Sequence, residues 1–207
     1  MPVALAGHSL GEYSALVAAG VLPFAQAVAL VAERARLMQG AVAEGAGAMA
    51  AILGLEDAQV IAACEQAAEG QVVEAVNFNS PAQVVIAGDA AAVERAIAVA
   101  TTLGAQKVVK LSVSVPSHRA LMQPAAEQLA IQLRNVTFSA PQIPVLHNID
   151  ATIRTTSEQI CTALEQQLYR PVRWVDTIQQ LKTQYAVNAV VEFRPGKVLA
   201  GMNKRID

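Results

Sequence analysis

The chain has 207 residues, 54% hydrophobic and only 15% charged, enough apolar material for a sizeable core and too much for a disordered chain. A formal net charge of −2 excludes the basic footprint of a nucleic-acid binder or a polybasic membrane contact. The two cysteines, Cys64 and Cys161, lie in unrelated segments without metal-type spacing, which fits a reducing compartment, so a cytoplasmic protein is expected.

Val3 to Ala6 reads as a short apolar strand, followed by Gly7-His8-Ser9-Leu10-Gly11 and then an Ala/Leu-rich helix from about Leu10 to Ala19. Strand, sharp turn and helix around G-x-S-x-G is the setting of a nucleophile elbow. There Ser9 stands in a strained turn, and Gly7 and Gly11 remove Cβ atoms that would clash as the helix doubles back. The Leu10 N–H, at the helix N-terminus, is free to face a developing oxyanion. The plainer alternative is a glycine-rich turn with an incidental serine.

Gly20 ends the first helix, and a second runs from Phe24, after Pro23, to about Val42. Ala15 to Ala32 is nearly all apolar, but Gly20 and Pro23 interrupt it and Glu33, Arg34 and Arg36 follow, so two buried helices are expected rather than a membrane span. Met1-Pro2-Val3 lacks the basic start of a secretory leader. Ala43 to Gly47 reads as a connection.

The pattern then changes. Strands are expected over Met49–Leu55, Val72–Asn77, Gln83–Ala87 and Lys107–Leu111, with a turn at Asn79-Ser80-Pro81 and Gly88 ending the third strand. Helices are expected over Glu56–Ala68 and Ala90–Leu103, the latter capped by Asp89. The order β-α-β-β-α-β is the split βαβ, ferredoxin-like arrangement, read as an inserted subdomain over residues 46–112.

Beyond it, Ser112 to Pro116 is extended, and a helix broken at Pro124 runs from Ser117-His118 to Leu133. A strand over Ile143–Asn148, a helix over Thr156–Leu168, a turn at Tyr169–Trp174, a helix over Val175–Gln184, a strand over Ala189–Phe193 and a helix over Lys197–Met202 complete the chain. Strands alternating with helices on both sides of the insert predict an α/β main domain, residues 1–45 and 113–207, with a largely parallel sheet.

Ser9 needs a base. His8 points away from its neighbour. His147 lies in an apolar run and reads as structural, with a base as its second reading. His118 ends an extended segment at a helix start, on the rim where Ser9 sits, and a helix N-terminus favours the neutral imidazole that a base requires. A surface capping role is its alternative. No acid stands out as a third member, so a dyad with the histidine oriented by a backbone carbonyl is expected. Arg34 faces inward: Ala27, Leu30, Val31, Leu37 and Met38 share its face of the helix, whereas Arg36 falls on the polar side. An inward guanidinium must be paired, either with an internal acid or with a carboxylate on the substrate.

Five motifs in this order resemble a known family: Gly7-His8-Ser9-Leu10-Gly11-Glu12-Tyr13, Arg34-Ala35-Arg36-Leu37-Met38-Gln39, Asn77-Phe78-Asn79-Ser80-Pro81, Ser114-Val115-Pro116-Ser117-His118 and Pro195-Gly196-Lys197-Val198-Leu199. Together they resemble the malonyl-CoA:acyl-carrier-protein transacylases of bacterial fatty-acid synthesis. The resemblance implies an α/β-hydrolase-like domain with a ferredoxin-like insert. It implies Ser9 as acyl-accepting nucleophile, His118 as base, Leu10 N–H as oxyanion donor and Arg34 as the grip on the malonyl carboxylate. It adds Gln167 as the residue whose backbone carbonyl orients His118, and Met38 and Asn79 as substrate-binding residues. Malonyl-CoA and a phosphopantetheinylated acyl-carrier protein are the implied partners, with no metal or other cofactor.

The sequence departs from that family in two places. The family has a further N-terminal segment whose Gln supplies a second oxyanion donor, and this chain opens directly at the elbow strand, so that loop is expected to be lacking. Arg194 stands where the family usually has Gly. A basic patch from Lys197, Lys204 and Arg205, with Arg119 and Arg173, is expected to meet an acidic carrier. The rival readings are a serine esterase or thioesterase on the same elbow, and a non-catalytic truncated fragment.

Overall fold

The computed structural model describes residues 2–43, 45–112, 117–193 and 197–206. Strand β1 (Leu5–Ala6) enters the elbow, and α1 (Gly11–Ala18) leaves it. After Pro23, α2 (Phe24–Gly40) turns Ala27, Leu30, Arg34 and Met38 inward. These helices pack with α5 (Gln123–Arg134) and α6 (Ser157–Gln166) around Tyr13, Leu16, Leu30, Leu129, Leu133, Ile160 and Leu164. The aliphatic composition explains the packing: with few aromatics, many small side chains let the helices approach closely. Helix α6 starts where Thr156 and Gln159 form a reciprocal capping box. Pro124 sits in the first turn of α5, preceded by a single 3-10 turn at Ala120–Met122.

Between these helices lie β2 (Gly47–Leu53), α3 (Asp57–Ala67), β3 (Val73–Ser80), β4 (Gln83–Asp89), α4 (Ala90–Thr102) and β5 (Lys107–Lys110). Their strand order is β5-β2-β4-β3, antiparallel throughout, with the two helices packed on Ala50, Ile52, Val84 and Ile86. That is the ferredoxin-like arrangement read from the sequence. The sheet gains a fifth strand, β7 (Val172–Arg173), parallel to β3. A separate pair joins β1 to β6 (Val145–Leu146), also parallel. Helices α7 (Trp174–Tyr185) and α8 (Val198–Ile206) follow. The chain is thus α/β, with parallel pairing confined to β1–β6 and β3–β7 among the described residues.

Several boundaries differ from expectation for physical reasons. Gly88 lies inside β4 rather than ending it, because a Cβ there would come within 2.3 Å of the Val72 carbonyl. Asn79 and Ser80 belong to β3, and the hairpin turns at Pro81-Ala82, with Ala82 left-handed. Asp89 occupies the N-cap of α4 without capping it; its carboxylate accepts from the Val72 N–H at 2.7 Å instead. The turn expected at Tyr169–Trp174 contains β7, a strand too short to carry a pattern. Ala189–Phe193 is not a strand: no described strand pairs with it, and Phe193 is 93% exposed. The strand expected over Ile143–Asn148 is paired over two residues only. The extended run to Pro116 falls mainly on 113–116, and the Arg194-Pro195-Gly196 loop on 194–196, both outside the described residues. Among those residues, no helix is long and apolar enough to cross a membrane.

Candidate active site

The elbow is bent where the chemistry needs it. Ser9 has φ 52°, a left-handed conformation that a non-glycine residue holds only when its surroundings enforce it. The Ser9 N–H donates to Asn148 Oδ1 at 2.6 Å, and the Ser9 carbonyl accepts from Gln167 Nε2 at 3.0 Å. Asn148 Nδ2 donates to the Gly7 carbonyl at 2.7 Å, so one carboxamide clamps both sides of the turn. A Cβ on Gly7 would lie 2.0 Å from the Gly11 carbonyl carbon and 2.5 Å from the Glu12 nitrogen. A Cβ on Gly11 meets nothing within 4 Å, so the steric role expected of both glycines belongs to Gly7 alone.

The Ser9 hydroxyl donates to His118 Nε2 at 2.8 Å, and His118 Nδ1–H donates to the Gln167 backbone carbonyl at 2.6 Å. The second bond leaves the Nε2 lone pair facing the serine. The two residues are 109 apart in sequence, and the histidine's orienting partner is a carbonyl rather than an acid. His118 is not at a helix start. Its φ is 64°, Arg119 is extended, and the 3-10 turn begins only at Ala120. Burial, not a helix terminus, keeps the imidazole neutral: it pushes the pKa down to about 3, aided by the Arg34 charge and opposed by the bond to Gln167.

Arg34 comes from the inner face of α2 and is 6% exposed. Its Nη2 donates to Ser9 Oγ at 3.1 Å and to Gln167 Oε1 at 3.3 Å. Its Nε is buried without a hydrogen-bond partner. No carboxylate pairs with it directly among the described residues; that of Glu12 lies one carboxamide away, through Gln167. A cation therefore stands beside the serine hydroxyl with donor capacity unspent. The arrangement can transfer a proton from serine to imidazole and hold an anion next to the serine oxygen.

Leu10 is half exposed, and no described acceptor takes its N–H. Met38 is buried one turn beyond Arg34, in the core of the helical layer. Asn79 is buried, with its Oδ1 accepting from His8 Nε2 at 2.9 Å. His147 is fully buried and bonded to Glu12, so it does not face the serine hydroxyl. Arg119 is excluded from the expected basic patch: its side chain is buried, donating to the Val72 carbonyl at 3.2 Å and lying 3.8 Å from Asp89. Lys197, Lys204, Arg205 and Arg173 are exposed, Arg173 paired with Asp176. Among the described residues, no cluster of His, Cys, Asp or Glu could hold a metal ion.

Three elements of the site escaped the sequence reading: Glu12, Asn148 and the Gln167 carboxamide. Glu12 had a signal. It shares the α1 face of Ala15, Leu16 and Ala19, all buried, as Arg34 shares an apolar stripe on α2. The same test that singled out the arginine applies to it.

The family described as the acyl transferase domain matches residues 1–205. The chain is 56% identical over 205 residues to the malonyl CoA-acyl carrier protein transacylase of Escherichia coli K12, covering 99% of this chain and 66% of that protein. It is 43% identical to the Bacillus subtilis transacylase over 203 residues, covering 98% of this chain and 64% of that one. An acyl carrier protein S-malonyltransferase from Vibrio cholerae superposes with a TM-score of 0.97 at 55% identity, covering 100% of this chain and 67% of that one. A malonyl-transacylase solved in complex with its type II PKS acyl-carrier protein superposes with a TM-score of 0.98 at 52% identity, covering 100% of this chain and 66% of that one. The chain thus spans just under two thirds, 66%, of the length of the first curated relatives.

Proposed function

This chain belongs to the acyl transferase domain family, and from that premise we propose that it moves a malonyl group from malonyl-CoA, through Ser9, to the phosphopantetheine thiol of acyl-carrier protein. The reading serves fatty-acid synthesis in the cytoplasm. It divides the chain into an acyltransferase domain, residues 1–45 and 113–207, and a ferredoxin-like insert, residues 46–112.

His118 Nε2 takes the proton of Ser9 as Oγ attacks the thioester carbonyl. The oxyanion forms against the Leu10 N–H. As it collapses, the carbon–sulfur bond breaks and the proton passes from His118 to the departing CoA sulfur. In the second half His118 takes the proton of the carrier's thiol, whose sulfur attacks the seryl ester, and returns it to Ser9 Oγ as the ester bond breaks. The Gln167 carbonyl keeps the imidazole in the required tautomer. The steps balance without a metal or redox cofactor. Met38 and Asn79 are assigned to binding the acyl group, and Lys197, Lys204 and Arg205 offer positive charge to an acidic carrier.

The observation that carries the reading is the Arg34 guanidinium 3.1 Å from the serine oxygen. A hydrolase of neutral esters has no use for a buried cation there, whereas a malonyl group brings a carboxylate that can replace Ser9 Oγ and Gln167 Oε1 as its partners. Intact-mass measurement after mixing with malonyl-CoA tests the first step: one malonyl adduct on Ser9, absent in Ser9→Ala, is expected. Arg34→Ala should lower the malonylation rate about 10- to 100-fold, the cost of one charge-assisted contact, while tolerating or gaining acetyl transfer. Malonylation that survives Arg34→Ala intact overturns the carboxylate grip.

A further inference from the structure

Below the elbow lies a carboxylate that the proposed chemistry does not use. Glu12 is fully buried. Its Oε1 accepts from His147 Nδ1–H at 2.6 Å, and its Oε2 accepts from the Asn148 N–H at 3.1 Å and Gln167 Nε2 at 2.8 Å. Three donors from three residues converge on it, which is how a buried carboxylate is retained.

Those donors are not incidental. Asn148, fixed through its N–H by Glu12, accepts the Ser9 N–H and donates to the Gly7 carbonyl. Gln167, fixed through Nε2, donates to the Ser9 carbonyl with the same nitrogen, accepts from Arg34 with Oε1 and orients His118 with its backbone carbonyl. The described hydrogen bonds that reach the Ser9 and Gly7 backbone from Asn148 and Gln167 thus run through residues tied to Glu12, while His8 adds a separate bond to Asn79. The Gln167 amide is also polarised in one sense, its oxygen toward the Arg34 cation and its nitrogen toward the Glu12 anion.

The geometry points to Glu12 as the positioning residue of the site: its charge fixes the Asn148 and Gln167 carboxamides, which hold Ser9 in its strained conformation and in line with His118 and Arg34. The inference rests on reading Ser9 as an activated nucleophile. It adds to that reading a fourth side chain, which touches neither substrate nor reacting atom. A neutral isostere does not reproduce it: Gln lacks the charge, and with its oxygen kept for the Asn148 N–H and Gln167 Nε2 its amide nitrogen faces His147 Nδ1, which accepts only in the other ring tautomer.

The test uses the full chain and two reagents: malonyl-CoA, and a fluorophosphonate that labels an activated serine without needing Arg34. For Glu12→Gln, labelling of Ser9 should go to completion with a rate constant lowered about tenfold to a hundredfold, the size of effect that misplacing a reacting group produces. The malonyl-CoA concentration giving half the maximal acylation rate should stay unchanged, since Arg34 remains. An unchanged rate constant, or incomplete labelling at the wild-type rate constant, overturns the inference; the second result is what simple loss of folded protein gives.

Should Glu12→Gln not fold, Asn148→Ala removes one arm without touching the buried charge, and it too should lower the rate constant; an unchanged one overturns the inference. Where both fold, the double variant should be no slower than the slower single, and additive losses overturn the shared route. A wild-type chain that reacts with the fluorophosphonate at Ser9 but takes no malonyl group defeats the malonyl-transfer reading alone, and Glu12 is then judged on the labelling rate. A chain that reacts with neither reagent at Ser9 overturns both.

Discussion

A general base must be neutral before it can accept a proton, and burial beside the Arg34 guanidinium keeps His118, the proposed base, so. The imidazole moves from its ordinary value of 6.5 to about 3 in the folded chain. Fluorophosphonate labelling of Ser9 should therefore hold its rate as the pH falls through 6.5, the acid limb lying toward 3. A half-point near 6.5 in the rate profile would show His118 titrating as if in water. The same shift has a stability side. Below 6.5 the unfolded chain takes up a proton on this side chain that the folded chain refuses until about 3, so acid favours unfolding across that window. The penalty grows by at most about 1.4 kcal/mol per pH unit. His118→Asn should remove that increment from the acid dependence of the denaturant midpoint, while wild type and variant stay parallel above neutrality.

At the scale of the element, the elbow works because a strand, a turn and a helix meet within one residue's thickness. Gly7→Ala should destabilise the fold by about 3 kcal/mol or more, since the added carbon would overlap backbone that cannot swing aside. Gly11→Ala, in open space at the first residue of α1, should be neutral or stabilise by up to about 1 kcal/mol. Chemical denaturation of the pair reads the contrast; equal losses would mean that the motif needs both glycines for another reason.

Sequence pattern carried most of this scale. The elbow, the two helices between the antiparallel strands and the four-stranded antiparallel order were legible because they depend on local spacing and on period-2 or helical stripes. Strand β7 was not: two residues cannot show a period, and its partner β3 lies 95 positions earlier, at Asn77↔Val172. Ala189–Phe193 failed in the opposite direction, since a short apolar run cannot say whether a neighbouring strand is there to receive its hydrogen bonds. In the candidate site, the meeting of Ser9 with His118 and Arg34 was legible from their residue types and patterns. The clamp of Asn148 and Gln167 was not, because it runs through carboxamides whose partners are 139 and 158 residues away.

At the scale of the whole molecule, the sheet that carries β3 and β7 reaches the elbow at His8 and its clamp at Asn148. Asn79 on β3 accepts from His8, and β7, paired with β3, donates the Arg173 N–H to the Asn148 carbonyl at 2.9 Å before leading into α7. Trp174 stands at that junction, its indole N–H bonded to Asn203 of α8 and its ring 5.6 Å from that of His8. It is also the only tryptophan in the chain. Emission excited at the long-wavelength edge of the band, where tyrosine does not absorb, therefore comes from one place, a single residue removed from the proposed nucleophile through His8. When Ser9 gains an ester, emission at fixed wavelength should change with the time course of the mass shift and revert as the group departs, and in Ser9→Ala the trace should stay flat. The chain thus carries its own reporter of the acyl state of Ser9, and a trace that stays flat while the mass shifts would show that Trp174 does not sense the ester.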